Sequence, residues 1–270
     1  MSADAELAFW IMERYAIKER RAAGVAKPWT ADPVLQRVRF CNVHREDDAV
    51  TQWIRKNWNL AGDPAWRFVL ARMINLPSSL ASVVGFTDPN YLKSLLKEQR
   101  DAGYKIFTSA YTISTCGKAM DKLDYVFDVA FNVQLYEDRQ SFLYDTCEGV
   151  QAQLTQIDGL GSFLSAQVVA DMKNTPGHPL TNAPDWWTFS APGPGSLRGL
   201  SWWLYGAPTG VTARGYAAAL AACRAAVDPL VLGLPRIGDQ DFQNCLCEFS
   251  KYMKVRQDPK AHVRNTYQGA

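Results

Sequence analysis

Residues Ile157–Met172 read IDGLGSFLSAQVVADM, and the fold turns on how this stretch is read. Gly159 and Gly161 flank Leu160, and an apolar run without proline follows at once. Glycine weakens a helix by about 1 kcal/mol relative to alanine, so a pair of them marks backbone that turns or approaches something closely. Leu160, Leu164, Val168 and Met172 recur every four residues, as one helix face requires. One helical pattern, Ser141–Leu154, precedes the turn and another, Ser162–Met172, follows it.

Two helices joined by Gly-Leu-Gly form the pattern of a helix-hairpin-helix. Glycines let backbone N–H groups face outward and approach a phosphate, and the new helix N-terminus adds partial positive charge. Such a turn holds a DNA backbone without reading sequence. Gly159, Leu160, Gly161 and Ser162 are therefore the expected DNA contacts. An ordinary helical corner has the same local pattern, so the neighbours decide.

Those neighbours are mostly helical. Expected helices span Ala5–Arg21 with Asp4 as N-cap, "REDDAVTQWIRKNW" capped by Asp47 or Asp48, and "DPAWRFVLARMINL" with Pro64 just inside its start. Others fit "TDPNYLKSLLKEQRDAG", Lys122–Tyr136, Thr212–Val227 and Asp239–Val255. "YKIFTS" is the best strand candidate, and the Trp-rich "TPGHPLTNAPDWWTFSAPGPGSLRG" reads as a long structured loop. The expectation is an all-α, two-lobed, helix-hairpin-helix DNA glycosylase-like fold. One lobe comprises 1–60 plus 181–270, the other 61–180 with the hairpin at 141–172.

The net charge of +2 is too small to indicate nucleic acid by itself, so an anionic partner needs a local patch. Six scattered cysteines without a CxxC pair, and only three histidines, argue against a zinc site and for reduced thiols. "MSADAELAFW" lacks a signal pattern, and "AAALAACRAAVDPLVLGL" is too interrupted to span a bilayer, so no membrane is expected. Arg14, Lys18 and Arg21 share a helix face that reads as solvated, and His44 and His178 read as surface residues.

"FWIMERYAIKERRAAGVAKPWTADPVLQRVRFCNVHREDDAVTQWI" resembles the start of a phage protein family, the alpha-glutamyl/putrescinyl-thymine pyrophosphorylases. That family is related to the helical domain of 5-hydroxymethyluracil DNA kinases. The matching positions are Trp29, Thr30, Asp32, Pro33, Arg39, Phe40, Asn42, Val43, Arg45, Glu46 and Asp48. "LCEFSKYMKVR", through Glu248, Lys251, Tyr252 and Arg256, is similar to its closing motif, and "PGPGSLRGL" also fits. The resemblance implies amino acid:DNA transfer in thymidine hypermodification, in the host cytoplasm. A phosphorylated 5-hydroxymethyluracil in double-stranded phage DNA exchanges its phosphate for an amino acid bonded through nitrogen, glycine favoured. A separate 5-hydroxymethyluracil DNA kinase supplies the phosphate, since no GxxxxGK[ST] run occurs here. No metal or redox cofactor is implied.

Such a displacement needs three functions. Cations receive the leaving phosphate: Arg39, Arg45, Lys251 and Arg256, assisted by Asn42, with Arg198 and the Gly193/Gly195 loop next. A carboxylate takes the amine's proton, with Asp185, Glu46 and Asp48 as candidates. Aromatic walls hold the unstacked base: Trp186 and Trp187, with Trp202 and Trp203 behind them. Asp185 follows the hairpin as the cleft aspartate does in the helix-hairpin-helix glycosylases, although an Asp after Pro also caps turns. Cys41 offers a route ranked below direct displacement, attack on uracil C6 with conjugate elimination of the phosphate, because a buried Cys is usually an inert small hydrophobe. The rival functions are a base-excising glycosylase and a non-catalytic DNA-docking subunit of a kinase.

Overall fold

The computed structural model describes residues 1–57, 65–108, 113–132, 135, 143–263 and 266–267. Its helices are α1 Ala3–Ala22, α2 Pro33–Arg37, α3 Ala49–Asn57, α4 Ala65–Ile74, α5 Pro77–Ala81 and α6 Pro89–Asp101. Then come α7 Lys122–Ala130, α8 Cys147–Thr155, α9 Ser162–Lys173, α10 Pro194–Tyr205, α11 Tyr216–Val227 and α12 Asp239–Gln257. The described residues are all-helical. Among the described residues the β pairing is an isolated antiparallel bridge, Val38 to Thr266.

Side-chain caps set many of the boundaries. Asp88 accepts from Tyr91 N–H to start α6, Asp121 from Leu123 N–H to start α7, and Thr146 from Gly149 N–H to start α8. Ser2, not Asp4, caps α1, and Asp4 accepts instead from Trp203 Nε1 at 2.7 Å. Asp48, rather than Asp47, receives the Val50 and Thr51 N–H groups at the start of α3. Residues 104–108 of the expected strand are irregular. The expected starts at Pro64 and Ser141, and the expected end at Tyr136, lie outside the described residues.

The chain divides into two compact units, Met1–Arg45 with Ser190–Ala270, and Glu46–Phe189. The boundaries thus fall at 45/46 and 189/190, against the expected 60/61 and 180/181, because α3 and the segment after α9 pack with the central helices. The first unit's core gathers Leu7, Trp10 and Ile11 of α1 with Leu200, Leu220, Phe242 and Leu246. Its tightest packing is α10 against α12. A Cβ on Gly199 would lie 2.1 Å from Leu246 O, and one on Gly195 would meet Cys247 Sγ. "PGPGSLRGL" therefore forms the start of α10 and its close contact with α12. Trp202 is buried in this core and Trp203 is held by Asp4, so neither offers a wall for a base.

In the central unit α4 is buried on nearly every side, from Trp66 to Ile74. His178 is buried, its Nδ1 accepting from Leu180 N–H, with the Phe68 and Tyr144 rings edge-on to it. His44 is buried too, beside Tyr15 and Pro235 O. Both differ from the expected surface placement because a ring nitrogen of each finds a backbone partner.

Gly199→Ala gains about 1 kcal/mol of helix propensity but forces the α10–α12 contact apart, an overpacking cost of ~1–3 kcal/mol or more. Its thermal midpoint is expected several degrees below the parent's, and an equal or higher midpoint refutes the close contact. Burial holds His178 down to about 4, against an ordinary value of 6.5. The unfolded chain then binds the proton more readily, so this contribution is complete above pH 6.5 and is lost as pH falls towards 4. His178→Asn keeps an acceptor and removes the titration, so its midpoint should fall less steeply across that window in circular-dichroism melts. Parallel curves for the two proteins rule the effect out.

Candidate functional site

The hairpin forms in the central unit as α8, the Gly159-Leu160-Gly161 turn and α9. Leu160 N–H donates to Ile157 O at 3.0 Å, which closes the turn. Gly159 has φ +95°, and a Cβ there would strike Val129 and Tyr125, so glycine is required twice over. Gly161 is the N-cap of α9, exposed, with nothing within 4 Å of a built Cβ. Ser162 is exposed and bonded to Gln151. Leu160 is buried with its N–H engaged, so it plugs the hairpin instead of facing a ligand.

The segment after the hairpin is tied to both of its helices. Asp185 accepts from Cys147 N–H at 2.8 Å with one oxygen and from Glu148 N–H at 2.9 Å with the other. Its side chain thus caps α8, with both carboxylate oxygens engaged. Burial, then the Asp185 charge, pushes the Cys147 thiol up to about 12, so it stays protonated. On the other side, Lys173 Nζ donates to Trp186 O at 2.7 Å while Trp186 Nε1 donates to Lys173 O at 2.8 Å. The same ammonium lies 4.1 Å over the Trp186 ring. Trp187 stands edge-on to Trp186 at 4.4 Å and is partly exposed.

This clasp forms one wall of a pocket of about 510 Å³ in the central unit. Glu46, Arg55, Lys173, Asn182, Trp186 and Trp187 are among its lining residues. Glu46 and Arg55 face each other at 3.5 Å and both are substantially exposed. Asp48 is placed differently. It caps α3 and accepts from Arg72 at 3.1 Å, as part of a buried network in which Arg72 also pairs with Asp171. Of the three expected carboxylates, Glu46 alone lines this pocket. Sequence reasoning missed Arg55 and Lys173. Arg55 shares the last turn of α3 with Lys56, and Lys173 ends α9; neither has a spacing to mark it out.

The phosphate-binding candidates belong to the other unit. Arg14 is buried, not solvated, and donates to Phe40 O, Cys41 O and Asn42 Oδ1, the last at 2.7 Å. Burial pulls its pKa below the usual 12.5. Asn42 is thereby occupied, and its carbonyl accepts from Asn244. Arg45 is buried, with its N–H on Asp241 at 2.7 Å. Lys251 pairs with Glu248 at 2.7 Å and lies over the Phe40 ring, while Glu248 accepts from Cys41 N–H. Arg256 pairs with Glu6. Arg39 and Arg198 are exposed or partly so. Asn42, Arg45 and Lys251 therefore brace residues 39–45 in this structure. Among the described residues no cluster of three His, Cys, Asp or Glu is arranged to hold a metal, and no helix is long and apolar enough to cross a membrane.

Comparison with known proteins supplies the context. The 5-hmdU DNA kinase of Bacillus phage SP10 is 25% identical over 219 residues, covering 70% of this chain and 34% of that protein. The chain thus spans about a third of the relative's length. No solved structure matches. The family model of the 5-hmdU DNA kinase helical domain matches residues 3–262, and with nearly the whole chain covered, this protein belongs to that family.

Proposed function

We propose that the protein transfers an amino acid, glycine favoured, onto phosphorylated 5-hydroxymethyl-deoxyuridine in phage DNA. The observation that carries the reading is the pocket itself: Glu46 and Arg55 line it together with the Trp186–Trp187 wall, in the same unit as the hairpin. Kinship with a phage DNA kinase domain supplies the thymidine-hypermodification setting.

In this scheme the hairpin holds the strand and the target base swings out against Trp187. The donor nitrogen attacks the methylene on uracil C5. An N–C bond forms, the C–O bond to phosphate breaks, and phosphate departs with the electron pair. Arg55 stabilises the phosphate oxygens, and Glu46 takes the proton that the amine loses. Asp185 and Lys173 are positioning residues that hold the tryptophan wall through the backbone. A second reading, a DNA-docking module for a kinase, is favoured by the family's description as a kinase helical domain. It predicts binding without transfer.

Glu46→Gln keeps the side chain's shape and removes the acceptor, so single-turnover transfer should fall on the order of 10²–10⁴-fold with DNA affinity preserved. Recovery at higher pH, where more of the donor is already free amine, would distinguish proton acceptance from packing. Transfer at the parent rate removes Glu46 from the chemistry, and no transfer by the parent with any amino acid favours the docking module. Because Gly161 has open space around it, Gly161→Val should fold normally yet bind DNA of any sequence more weakly. Unchanged affinity in anisotropy titrations retires the hairpin as a DNA-binding element.

A further inference from the structure

The first unit carries a feature that the transfer scheme does not use. Trp29 and Tyr267 meet edge-to-face at 5.5 Å, and three cations crowd their rings. The Arg21 guanidinium lies 5.2 Å from the Trp29 centroid. Lys27 Nζ lies 5.3 Å from Trp29 and 5.2 Å from Tyr267. The Arg39 guanidinium lies 5.8 Å from Tyr267. Three separate segments converge here: the end of α1, the loop before α2, and residues 37–39, onto which Tyr267 is docked by its N–H to Arg37 O at 2.9 Å.

Arg21, Lys27 and Arg39 are all exposed. Acids of the same region are engaged with other cations: Glu13 with Arg20 at 2.9 Å, Glu19 with Lys18, and Glu248 with Lys251. A ring face fixes a guanidinium in place without consuming its N–H donors. The cations also cover ring faces that would otherwise stack on bases. The cluster therefore suits phosphates along a strand better than bases.

We infer that Arg21, Lys27 and Arg39, organised on Trp29 and Tyr267, form a second binding surface for the DNA phosphate backbone, separate from the hairpin. The inference rests on the reading of DNA as the substrate, and it moves Arg39 from the phosphate on the base to the phosphates of the strand. Two independent grips would bind duplex DNA without sequence preference and with a steep dependence on salt.

The test is a salt titration of the full chain with fluorescein-labelled duplex DNA of arbitrary sequence. The parent is compared with the triple variant Arg21→Gln, Lys27→Gln, Arg39→Gln. Each phosphate that the variant no longer neutralises should reduce the slope of log K against log salt by about 0.9, so a total reduction of roughly 1 to 3 is expected. Affinity at low salt should fall about tenfold or more. The double variant Lys27→Gln, Arg39→Gln decides the matter if the triple variant fails to fold. A folded variant with the parent's slope and affinity overturns the second surface while leaving DNA binding by the hairpin intact. A reduced slope in a chain that transfers no amino acid upholds the surface and rejects the transferase. No salt-dependent binding by the parent rejects both.

Discussion

Arg72 of α4 is almost wholly buried, and its guanidinium meets Asp171 of α9, which is fully buried. Taking two charges out of water costs several kcal/mol per ion, so the arrangement persists only if nearly every lone pair and proton is satisfied. Here other groups complete the set. Thr51 Oγ1 donates to Asp171 at 2.6 Å, and Arg72 also reaches Asn75 at 3.1 Å and Asp48 at 3.1 Å. Removing one partner from such a set typically costs ~3–5 kcal/mol, because the other charge is stranded. The network joins α3, α4 and α9. It therefore fixes the hairpin's second helix relative to the helix that carries Arg55, and the pocket depends on both.

The hairpin's outer end is held by simpler means. Asp185 satisfies two of the four N–H groups that a helix start leaves open, and the Lys173–Trp186 exchange closes the intervening loop. A charge-assisted cap of this kind contributes on the order of 1–2 kcal/mol. The consequence is geometric: the tryptophan pair that follows Asp185 is anchored to both helices of the hairpin. An aspartate just after a hairpin is thus explained by helix capping before any catalytic role is invoked.

The all-helical class was legible because periodic apolar faces and Ser, Thr or Asp caps are local signals; α9 is expected at Ser162–Met172 and spans Ser162–Lys173. The turn was legible for the same reason, since Gly159 is required by its own φ. The helix α10 was hidden because Pro194, Gly195 and Gly199 look like loop residues, and only packing against α12 explains them within a helix. Arg14 was misplaced because helical spacing cannot say whether a cation meets water or three acceptors from a loop 26 to 28 residues away. Arg55 and Lys173 gave no signal, since a pocket assembled from α3, the end of α9 and a later loop has no motif in the sequence.

The division of the Arg45–Glu46–Asp48 cluster shows why residue type alone cannot assign chemistry. Three neighbouring charges receive three environments. Arg45 is buried, and its backbone N–H donates to Asp241, whose other oxygen accepts from Gly238 N–H at the start of α12. Asp48 is drawn to Arg72 and to helix N–H groups, so its charge is already neutralised by partners that must stay in place. Glu46 is exposed and meets Arg55 at the pocket, a pairing that contributes little in water and is easily exchanged for a ligand. A group that must gain and lose a proton, or release an arginine to an incoming phosphate, cannot also be holding helices together. On that criterion the loosely paired Glu46 and Arg55 are suited to turnover, and the tightly satisfied Asp48, Arg72 and Asp171 to supporting them.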